Sequence, residues 1–456
     1  MSFGNNFTWG AAAASYQIEG AWNEDGKGES VWDMLTRQKG RIWENHNGNV
    51  ACDHYHRYKE DVRLMSEIGL QAYRLSVSWP RVLPEGSGRV NAAGLAFYDR
   101  LVDELLAHKI DPWVTLFHWD YPYDLFLRGG WLNPDSPQWF ADYTAVLVDK
   151  LSDRVTHWIT LNEPQCFIGL GHLAGAHEHA PGLKLGMREA LVAAHHCLIA
   201  HGRSVQTIRA RARKAPSIGW APVGSVFYPA TESAADIEAA REVTHSVKGD
   251  SFWNNAWFAD PVILGHYPEA GLQAYGKNVP AFKASDMEAI CQPMDFYGVN
   301  IYTGTPVKAG PDGKPLPIWF PPGHPHTHFS WKIVPESLYW GPRFLAERYK
   351  LPIVITENGL SVTDNVSLDG RVHDPQRIDF LQRYLLALQR AVRDVIDVRG
   401  YFHWSIMDNF EWAEGYKHRF GLVHIDYETQ KRTLKDSALW YREVIRTNGA
   451  VLSNHG

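Results

Sequence analysis

Residues 352–356 are PIVIT and residues 401–406 are YFHWSI. Both runs are short and rich in β-branched or aromatic residues, which is typical of strands buried on both faces of a sheet. Between them, apolar side chains recur every three or four residues from Ile378 to Val395, as on the buried face of a helix. A strand, a helix and a second strand in this order predict a parallel β–α–β unit.

The same alternation extends over the rest of the chain. Similar helical patterns run from Tyr55 to Met65 and from Leu95 to Leu105. Eight strands that alternate with helices fit either a closed (β/α)₈ barrel or an open doubly wound sheet. No GxGxxG or Walker A loop follows a strand, which disfavours nucleotide binding. The six further strand-like runs are Phe7–Ala12, Gln71–Trp79, Pro112–Trp119, Val155–Leu161, Ser217–Pro222 and Asp295–Tyr302.

The composition is that of a globular protein. Of the 456 residues, 45% are hydrophobic and 21% are charged, and the net charge of −6 gives no basic surface for nucleic acid. We find no run of eighteen apolar residues and no secretion signal in Met1–Gly10, so we expect no membrane partner and a cytoplasmic location. The four cysteines form no CxxC pair and are expected to be buried thiols. The 19 Trp, 20 Tyr and 19 Phe suit either an aromatic core or a sugar-binding site.

Many of the predicted strands carry polar or aromatic side chains in the strand itself or directly after it. In a barrel enzyme the C-terminal ends of the strands carry the active site, so we expect these side chains to lie close together. They are Arg74, His118–Trp119, Asn162–Glu163–Pro164, Asn300, Tyr302, Glu357–Asn358–Gly359, Trp404 and Glu411–Trp412.

Two of these residues, Glu163 and Glu357, are carboxylates that follow the fourth and seventh strands. Either one alone could form a salt bridge within the barrel. Two carboxylates across one pocket are what glycoside hydrolysis requires, because one must donate a proton while the other stays ionised. Arg74 offers a positive charge that would keep one of them ionised, but spacing does not decide which one.

The chain resembles the glycoside hydrolases of family 1, the β-glucosidase family, nearly from end to end. The resemblance implies a single (β/α)₈ barrel over residues 1–456, with extended βα loops that form a deep pocket at the C-terminal face. The segments that carry it are 15–20 (SYQIEG), 73–76 (YRLS), 117–120 (FHWD), 160–164 (TLNEP), 300–302 (NIY), 355–359 (ITENG), 404–412 (WSIMDNFEW) and 419–422 (RFGL).

The resemblance also implies a role for each residue. Glu163 would be the general acid/base and Glu357 the nucleophile of a retaining mechanism, with their carboxyls about 5–5.5 Å apart. Arg74 and Tyr302 would hold the nucleophile ionised, and Asn300 would support the acid/base side. We expect the charge of Glu357 to raise the pKa of Glu163. The expected substrate-binding residues are Gln17, His118, Trp119, Asn162, Trp404, Glu411, Trp412 and Phe420.

Two features bear on the substrate. Many family members have Trp after the Asn-Glu-Pro motif, where this chain has Gln165, so the leaving-group preference is open. Relatives that cleave 6-phosphoglycosides carry a Ser, a Lys and a Tyr near the end of the chain, whereas this chain has Glu411, Trp412, His418 and Phe420. A carboxylate at Glu411 would repel phosphate, which favours a plain β-glucoside or short oligosaccharide.

The alternatives to a β-glucosidase are a 6-phospho-β-glycosidase, a transglycosylating enzyme and a carbohydrate-binding protein on the same barrel. The sequence also leaves galactosides, fucosides and a homo-oligomer open. We predict no cofactor, because two carboxylates suffice for this reaction. We predict no metal site either, since the clusters His177–Glu178–His179 and His324, His326 and His328 lack the spacing of metal ligands.

Overall fold

Eight parallel strands form one sheet in the computed structural model, which describes residues 2–173 and 179–455. Their order across the sheet is β5-β4-β3-β2-β1-β8-β7-β6, so each neighbouring pair is consecutive in the chain except β1 and β8. In chain order the strands are β1 (Thr8–Ala12), β2 (Ala72–Ser76), β3 (Asp111–Phe117), β4 (His157–Asn162), β5 (Ser217–Ala221), β6 (Tyr297–Asn300), β7 (Ile353–Asn358) and β8 (Val398–Trp404).

The two edges of this sheet meet. The Asp295 N–H, just before β6, donates to the Ile218 carbonyl in β5 at 2.8 Å. The Asn300 N–H donates to the Pro222 carbonyl at 3.0 Å. The sheet therefore closes on itself, which confirms the predicted (β/α)₈ barrel and excludes the open doubly wound sheet.

Aromatic rings fill the inside of the barrel. The ring of Trp113 lies 4.9 Å from that of Phe402 and 5.3 Å from that of Phe296. A Cβ atom at Gly10 would come within 2.5 Å of the Phe402 ring, and one at Gly219 within 2.3 Å of the Phe296 ring. Glycine is therefore required in β1 and β5, because large side chains from other strands occupy the space beside them.

A helix returns the chain to the other end of the barrel after each strand, and the one after β5, Ala284–Ile290, is the shortest of them with seven residues. The sequence predicts a helical stripe from Ile378 to Val395, but the helix ends at Arg393. Val395 lies two residues beyond it and is exposed, with a φ of 66°. The helices are α1 (His54–Ile68), α2 (Ala92–Ala107), α3 (Ser136–Leu151), α4 (Met187–Arg211), α5 (Ala284–Ile290), α6 (Ser337–Tyr349), α7 (Pro375–Arg393) and α8 (Asp436–Arg446).

The connections at the two ends of the barrel differ in length. Helix α1 ends at Ile68 and β2 begins at Ala72, whereas β5 ends at Ala221 and α5 begins only at Ala284. The long βα connections therefore stand on the C-terminal face, as the sequence predicts. None of the helices in the described residues is long and apolar enough to cross a membrane.

The βα connections contain short elements of their own. The α-helical segments are Ser15–Ile18, Val31–Thr36, Trp79–Val82, Tyr123–Leu127, Pro164–Gly169, Ala234–Thr244, Ala256–Ile263 and Glu269–Tyr275. The 3₁₀ segments are Trp43–Asn45, Gly130–Leu132, Gly276–Asn278 and Trp412–Glu414, with one more at Ala450–His455 after α8. Two small sheets join Val423–Ile425 to Arg432–Leu434, and Thr305–Ala309 to both Phe227–Pro229 and Pro315–Pro317.

Candidate active site

A cavity of about 970 Å³ opens at the C-terminal ends of the strands. Arg74, Asn162 and Gln17 are not among the described residues that line it, but each of them is hydrogen-bonded to a residue that does. The predicted residues that line it are Glu163, Glu357, Asn300, Tyr302, His118, Trp119, Trp404, Glu411, Trp412 and Phe420.

The backbone departs from regular geometry where the two carboxylates stand. The pairing of β7 with β6 shifts between Ile355 and Glu357, and the pairing of β4 with β5 shifts between Ile159 and Asn162. Such bulges change the direction of the side chains that follow them. Glu163 then adopts a φ of 46°, and Trp119 and Trp412 also have positive φ. Left-handed backbone at non-glycine residues is strained and concentrates at functional sites.

Glu357 is a buried carboxylate that accepts two strong hydrogen bonds. Arg74 Nη1 donates to its Oε1 at 2.6 Å, and the Tyr302 hydroxyl donates to its Oε2 at 2.7 Å. Burial raises the pKa of Glu357, and Arg74 and Tyr302 oppose that rise. The spacing in the sequence left open which glutamate Arg74 faces. The structure shows that it faces Glu357, and the charge of Arg74 favours the ionised form of Glu357.

Glu163 has a different set of neighbours. Asn300 Nδ2 donates to Glu163 Oε1 at 2.8 Å. The orientation of the Asn300 amide follows from Thr356, whose hydroxyl donates to Asn300 Oδ1 at 2.6 Å. No arginine or lysine is paired with Glu163 among the described residues, so this carboxyl lacks the guanidinium contact that Glu357 has.

The pKa of Glu163 is raised to about 7. The largest cause is burial, and the charge of Glu357 comes second. The prediction of a raised pKa is confirmed, but its stated cause is corrected, because removal of the carboxyl from water contributes more than the neighbouring charge. At neutral pH Glu163 therefore retains a large protonated fraction, while the donors around Glu357 favour its ionised form.

Asn162 connects the surroundings of the two carboxylates. Its Oδ1 accepts from Arg74 Nη2 at 2.6 Å and from Asn300 Nδ2 at 3.0 Å. Its Nδ2 is therefore free to donate to His118 Nε2 at 3.1 Å. A chain of hydrogen bonds thus runs from Glu357 through Arg74, Asn162 and Asn300 to Glu163, which fixes both carboxyls relative to each other.

Aromatic rings from distant segments form one side of the cavity. The His118 ring lies roughly parallel to the rings of Trp404 and Trp412, at 5.6 Å and 5.9 Å. Trp119 packs on Trp412 at 4.6 Å. Burial lowers the pKa of His118, so its imidazole is neutral, and acceptance at Nε2 leaves the proton on Nδ1. This side offers flat rings and a polar N–H, which suits the C–H face and the hydroxyls of a sugar.

Gln17 and Glu411 form the polar end of this side. Gln17 Nε2 donates to the Phe410 carbonyl at 2.8 Å and lies 3.4 Å from Glu411 Oε2. Gln17 Oε1 is buried and has no donor among the described residues. Burial, followed by the charges of Glu357 and Glu163, raises the pKa of Glu411 to about 8. The predicted repulsion of phosphate therefore applies to the ionised form of Glu411, which is the minor form at neutral pH.

The residues of the outer cavity were not predicted from the sequence. Trp43 and Trp253 are each about half exposed there, and Phe227, Trp331 and Phe329 lie deeper. Their only signal in the sequence is a large aromatic residue within a polar loop, as in segment 41–45 (RIWEN). Loops from different parts of the chain bring them together, so spacing could not identify them.

The structure describes the histidine clusters only in part. His177 and Glu178 lie outside the described residues, whereas His179 lines the cavity against Trp119. His324 and His326 bond to backbone carbonyls of Ile333 and Thr327 in the connection between β6 and α6. Within residues 2–173 and 179–455 no three His, Cys, Asp or Glu side chains form a group that could hold a metal ion.

A closed α/β barrel whose strand ends hold two glutamates in one cavity is the arrangement of a glycoside hydrolase. The family model described as "Glycosyl hydrolase family 1" matches residues 1–450. The chain belongs to this family.

Individual relatives agree with this assignment over nearly their full length. The chain is 44% identical to a 1,4-beta-D-glucan glucohydrolase of Thermotoga neapolitana, with 98% of this chain and 99% of the relative covered. It superimposes with a TM-score of 0.90 on a beta-glucosidase from Thermotoga maritima in complex with glucoimidazole, at 44% identity and with 98% and 99% of the two chains covered. An aryl-phospho-beta-D-glucosidase, BglC, of Bacillus subtilis is 39% identical, with 99% of this chain and 98% of the relative covered.

Proposed function

We propose that the protein is a retaining β-glucosidase that releases the non-reducing-end glucose from β-glucosides and short β-linked oligosaccharides. One observation carries this proposal. Two buried carboxyls line one cavity, and their partners differ, since Glu357 accepts from Arg74 and Tyr302 whereas Glu163 accepts from Asn300. Environments that favour the ionised form of one carboxyl and the protonated form of the other make the first the base or nucleophile and the second the acid.

In the first step, Glu357 attacks the anomeric carbon while Glu163 donates its proton to the glycosidic oxygen. The leaving group departs with that proton, and a glycosyl ester forms on Glu357. Arg74 Nη1 and the Tyr302 hydroxyl hold the attacking carboxylate ionised and oriented. Asn300 holds Glu163 toward the leaving oxygen.

In the second step, Glu163 acts as a base. Formation of the ester removes the charge of Glu357, which is the second cause of the raised pKa of Glu163. The pKa of Glu163 therefore falls when the carboxylate is needed to take a proton from water. The water attacks the anomeric carbon, the bond to Glu357 breaks, and glucose leaves with its configuration retained.

The glucose ring would lie on the aromatic side of the cavity. Trp404 would support its C–H face, and His118 Nδ1–H and Trp119 would contact its edge. The unpartnered Gln17 Oε1 and the carboxyl of Glu411 would accept and donate hydrogen bonds to its hydroxyls. Asn162, Trp412 and Phe420 complete this set, with Asn162 acting through His118.

The direct test is release of nitrophenol from p-nitrophenyl β-glucoside, with the 6-phosphorylated analogue, the β-galactoside and the β-fucoside assayed in parallel. We expect the plain glucoside to be cleaved fastest. Preference for the phosphorylated analogue would overturn the proposed substrate. Two observations favour cleavage of the phosphorylated analogue. The B. subtilis relative is named an aryl-phospho-beta-D-glucosidase, and Glu411 is largely protonated at neutral pH.

A carbohydrate-binding protein and a transglycosylating enzyme are each distinguished from a hydrolase by a separate measurement. A binding protein would show sugar binding without turnover in the unmodified chain, and Glu357→Ala would then change nothing. A transglycosylating enzyme would form new disaccharides from cellobiose at high concentration instead of glucose. Three further points remain predictions from the sequence. They are a single catalytic domain over residues 1–456, a cytoplasmic location and a possible homo-oligomer.

A further inference from the structure

Gln165 connects two separate segments of the chain. It is fully buried and follows Glu163 in the short helix Pro164–Gly169. Its Oε1 accepts from the Val223 N–H at 3.2 Å, and its Nε2 lies 3.3 Å from the Val223 carbonyl and 3.3 Å from the Asn254 carbonyl. A single buried amide therefore bonds to three backbone groups from these two segments.

The two segments form one wall of the cavity. Residues 223–227 all line it, and so does Trp253, which precedes Asn254. Gln165 itself is not among the described residues that line the cavity. The wall also adjoins the acid/base residue, because the Gly224 N–H donates to the Asn300 carbonyl at 2.8 Å and Asn300 Nδ2 bonds to Glu163.

The chemistry of the first step indicates what this wall contacts. Glu163 protonates the oxygen of the leaving group, so the groups beside Glu163 on the outer side of the cavity face the leaving group. The sugar ring is placed by Trp404, Trp412 and Glu411 on the other side. The wall is mainly apolar, with the half-exposed ring of Trp253 and the ring of Phe227. Such a surface suits a leaving group with a flat apolar face, namely an aryl ring or a second sugar.

We propose that Gln165 is a positioning residue that determines leaving-group selectivity by holding Val223 and Trp253 in this wall. The inference rests on the proposed function. Many family members carry Trp at this position. In this chain Gln165 takes its place and acts through hydrogen bonds to the wall, not through contact with the substrate.

The test compares three glucosides that differ only in the leaving group. These are cellobiose, p-nitrophenyl β-glucoside and β-glucosyl fluoride, whose single leaving atom does not reach the wall. In Gln165→Met, which keeps the length of the side chain and removes its hydrogen bonds, we expect kcat/KM for cellobiose to fall about tenfold relative to that for the fluoride. For a substrate whose turnover is limited by the second step, the loss should appear in KM, because that step no longer contains the leaving group.

Gln430→Met is the matched control. Gln430 is also buried, and its Nε2 also lies near two backbone carbonyls, those of Ala51 and Tyr427 at 3.1 Å and 3.3 Å. It is not a lining residue of the cavity, so its substitution should leave the ratio between the substrates unchanged. Equal losses on all three substrates in Gln165→Met would assign Gln165 a general structural role and overturn the proposal.

Two further variants cover the case in which Gln165→Met does not fold. Gln165→Glu keeps an acceptor for the Val223 N–H, and its ionised form would face two carbonyl oxygens, so the cellobiose-to-fluoride ratio should fall more steeply with rising pH than it does in the unmodified enzyme, where only the acid Glu163 titrates. Trp253→Ala changes a half-exposed side chain and should lower the same ratio. An unchanged ratio in Trp253→Ala would contradict the proposal. Absence of turnover in the unmodified enzyme on all three substrates would instead contradict the proposed function.

Discussion

At the residue scale, the roles that we propose for Glu163 and Glu357 are argued from their different partners. Both carboxyls are buried, and burial is the largest cause that raises the pKa of each. Only Glu357 has a guanidinium at 2.6 Å, and a charge-assisted hydrogen bond stabilises the ionised form by about 1.5–3 kcal/mol. The sequence could predict both glutamates, since Glu163 directly follows β4 and Glu357 lies at the C-terminal end of β7, but the partner of Arg74 emerges only when β2 and β7 are placed in one barrel.

The first prediction concerns Glu163. Because its pKa is raised to about 7 and its protonated form is the acid, kcat/KM should fall as pH rises through about 7. In Glu163→Ala this alkaline limb should disappear, and kcat/KM for cellobiose should fall by about 10²–10⁴-fold. An aryl glucoside with an acidic leaving group should lose much less, because that group departs without a proton.

Steady-state pH profiles of the two proteins measure this. Azide, which needs no base, should restore turnover of the aryl glucoside by Glu163→Ala and yield β-glucosyl azide. If the alkaline limb persists in the variant, a group other than Glu163 is the acid.

The second prediction concerns Tyr302. Its hydroxyl donates to Glu357 and so opposes the rise of the Glu357 pKa. In Tyr302→Phe that pKa rises further, and because Glu357 must be ionised to attack, the acid limb of kcat/KM should move to higher pH by about one unit. Tyr339→Phe is the matched control, since Tyr339 donates to Asp394 at 2.7 Å away from the cavity. A limb that stays in place or moves to lower pH would show that Tyr302 does not act on Glu357.

At the scale of elements, the connection between β8 and α8 carries Glu411 and Trp412 and is held by buried charges. Asp408 accepts from Lys435 Nζ at 2.7 Å and from Arg419 Nη1 at 2.6 Å. It also accepts from the Gly421 N–H at 3.0 Å. Glu411 and Trp412 were predictable, but the ion pairs of Asp408 were not, because Asp408 and Lys435 belong to opposite ends of a loop whose course no local pattern specifies.

The third prediction concerns the stability of this connection. Burial acts to raise the pKa of Asp408, but Lys435 and Arg419 outweigh it and lower the pKa to about 2. A carboxyl with a lowered folded-state pKa contributes stability above its unfolded pKa of about 4, and that contribution is lost as pH falls toward 2. Asp408→Asn removes the carboxylate partner of Arg419 and leaves Lys435 with Asp364 alone, and it should cost about 3–5 kcal/mol at pH 7.

Thermal unfolding at pH 7 and at pH 3 measures this effect. The difference between the unmodified protein and Asp408→Asn should be large at pH 7 and smaller at pH 3. Asp436→Asn is the control, because Asp436 pairs with Arg371 near the surface and such pairs contribute about 0–1 kcal/mol. Equal destabilisation by both substitutions, or a difference that grows toward pH 3, would contradict the assigned role of Asp408.

At the scale of the whole molecule, the fold was predictable where the pattern was strongest. All eight strand-like runs overlap a barrel strand, since strands buried on both faces leave a continuous apolar signal, although β3, β4, β7 and β8 each extend beyond the predicted run. Val395 was assigned to a helix in error, because an apolar residue beyond the helix end is indistinguishable from one more turn. The outer wall with Val223 and Trp253 could not be predicted, since it depends on contacts of Gln165 with residues far along the chain.

The central claim is that catalysis proceeds through a glucosyl ester on Glu357. A 2-deoxy-2-fluoro-β-glucosyl fluoride traps such an ester, because the ring fluorine slows its hydrolysis. Peptide mass mapping of the treated enzyme should show one sugar per chain, attached to the peptide that contains Glu357 and absent from Glu357→Ala. Attachment to Glu163 or to another residue would contradict the account, and so would continued turnover of p-nitrophenyl β-glucoside with no labelled peptide.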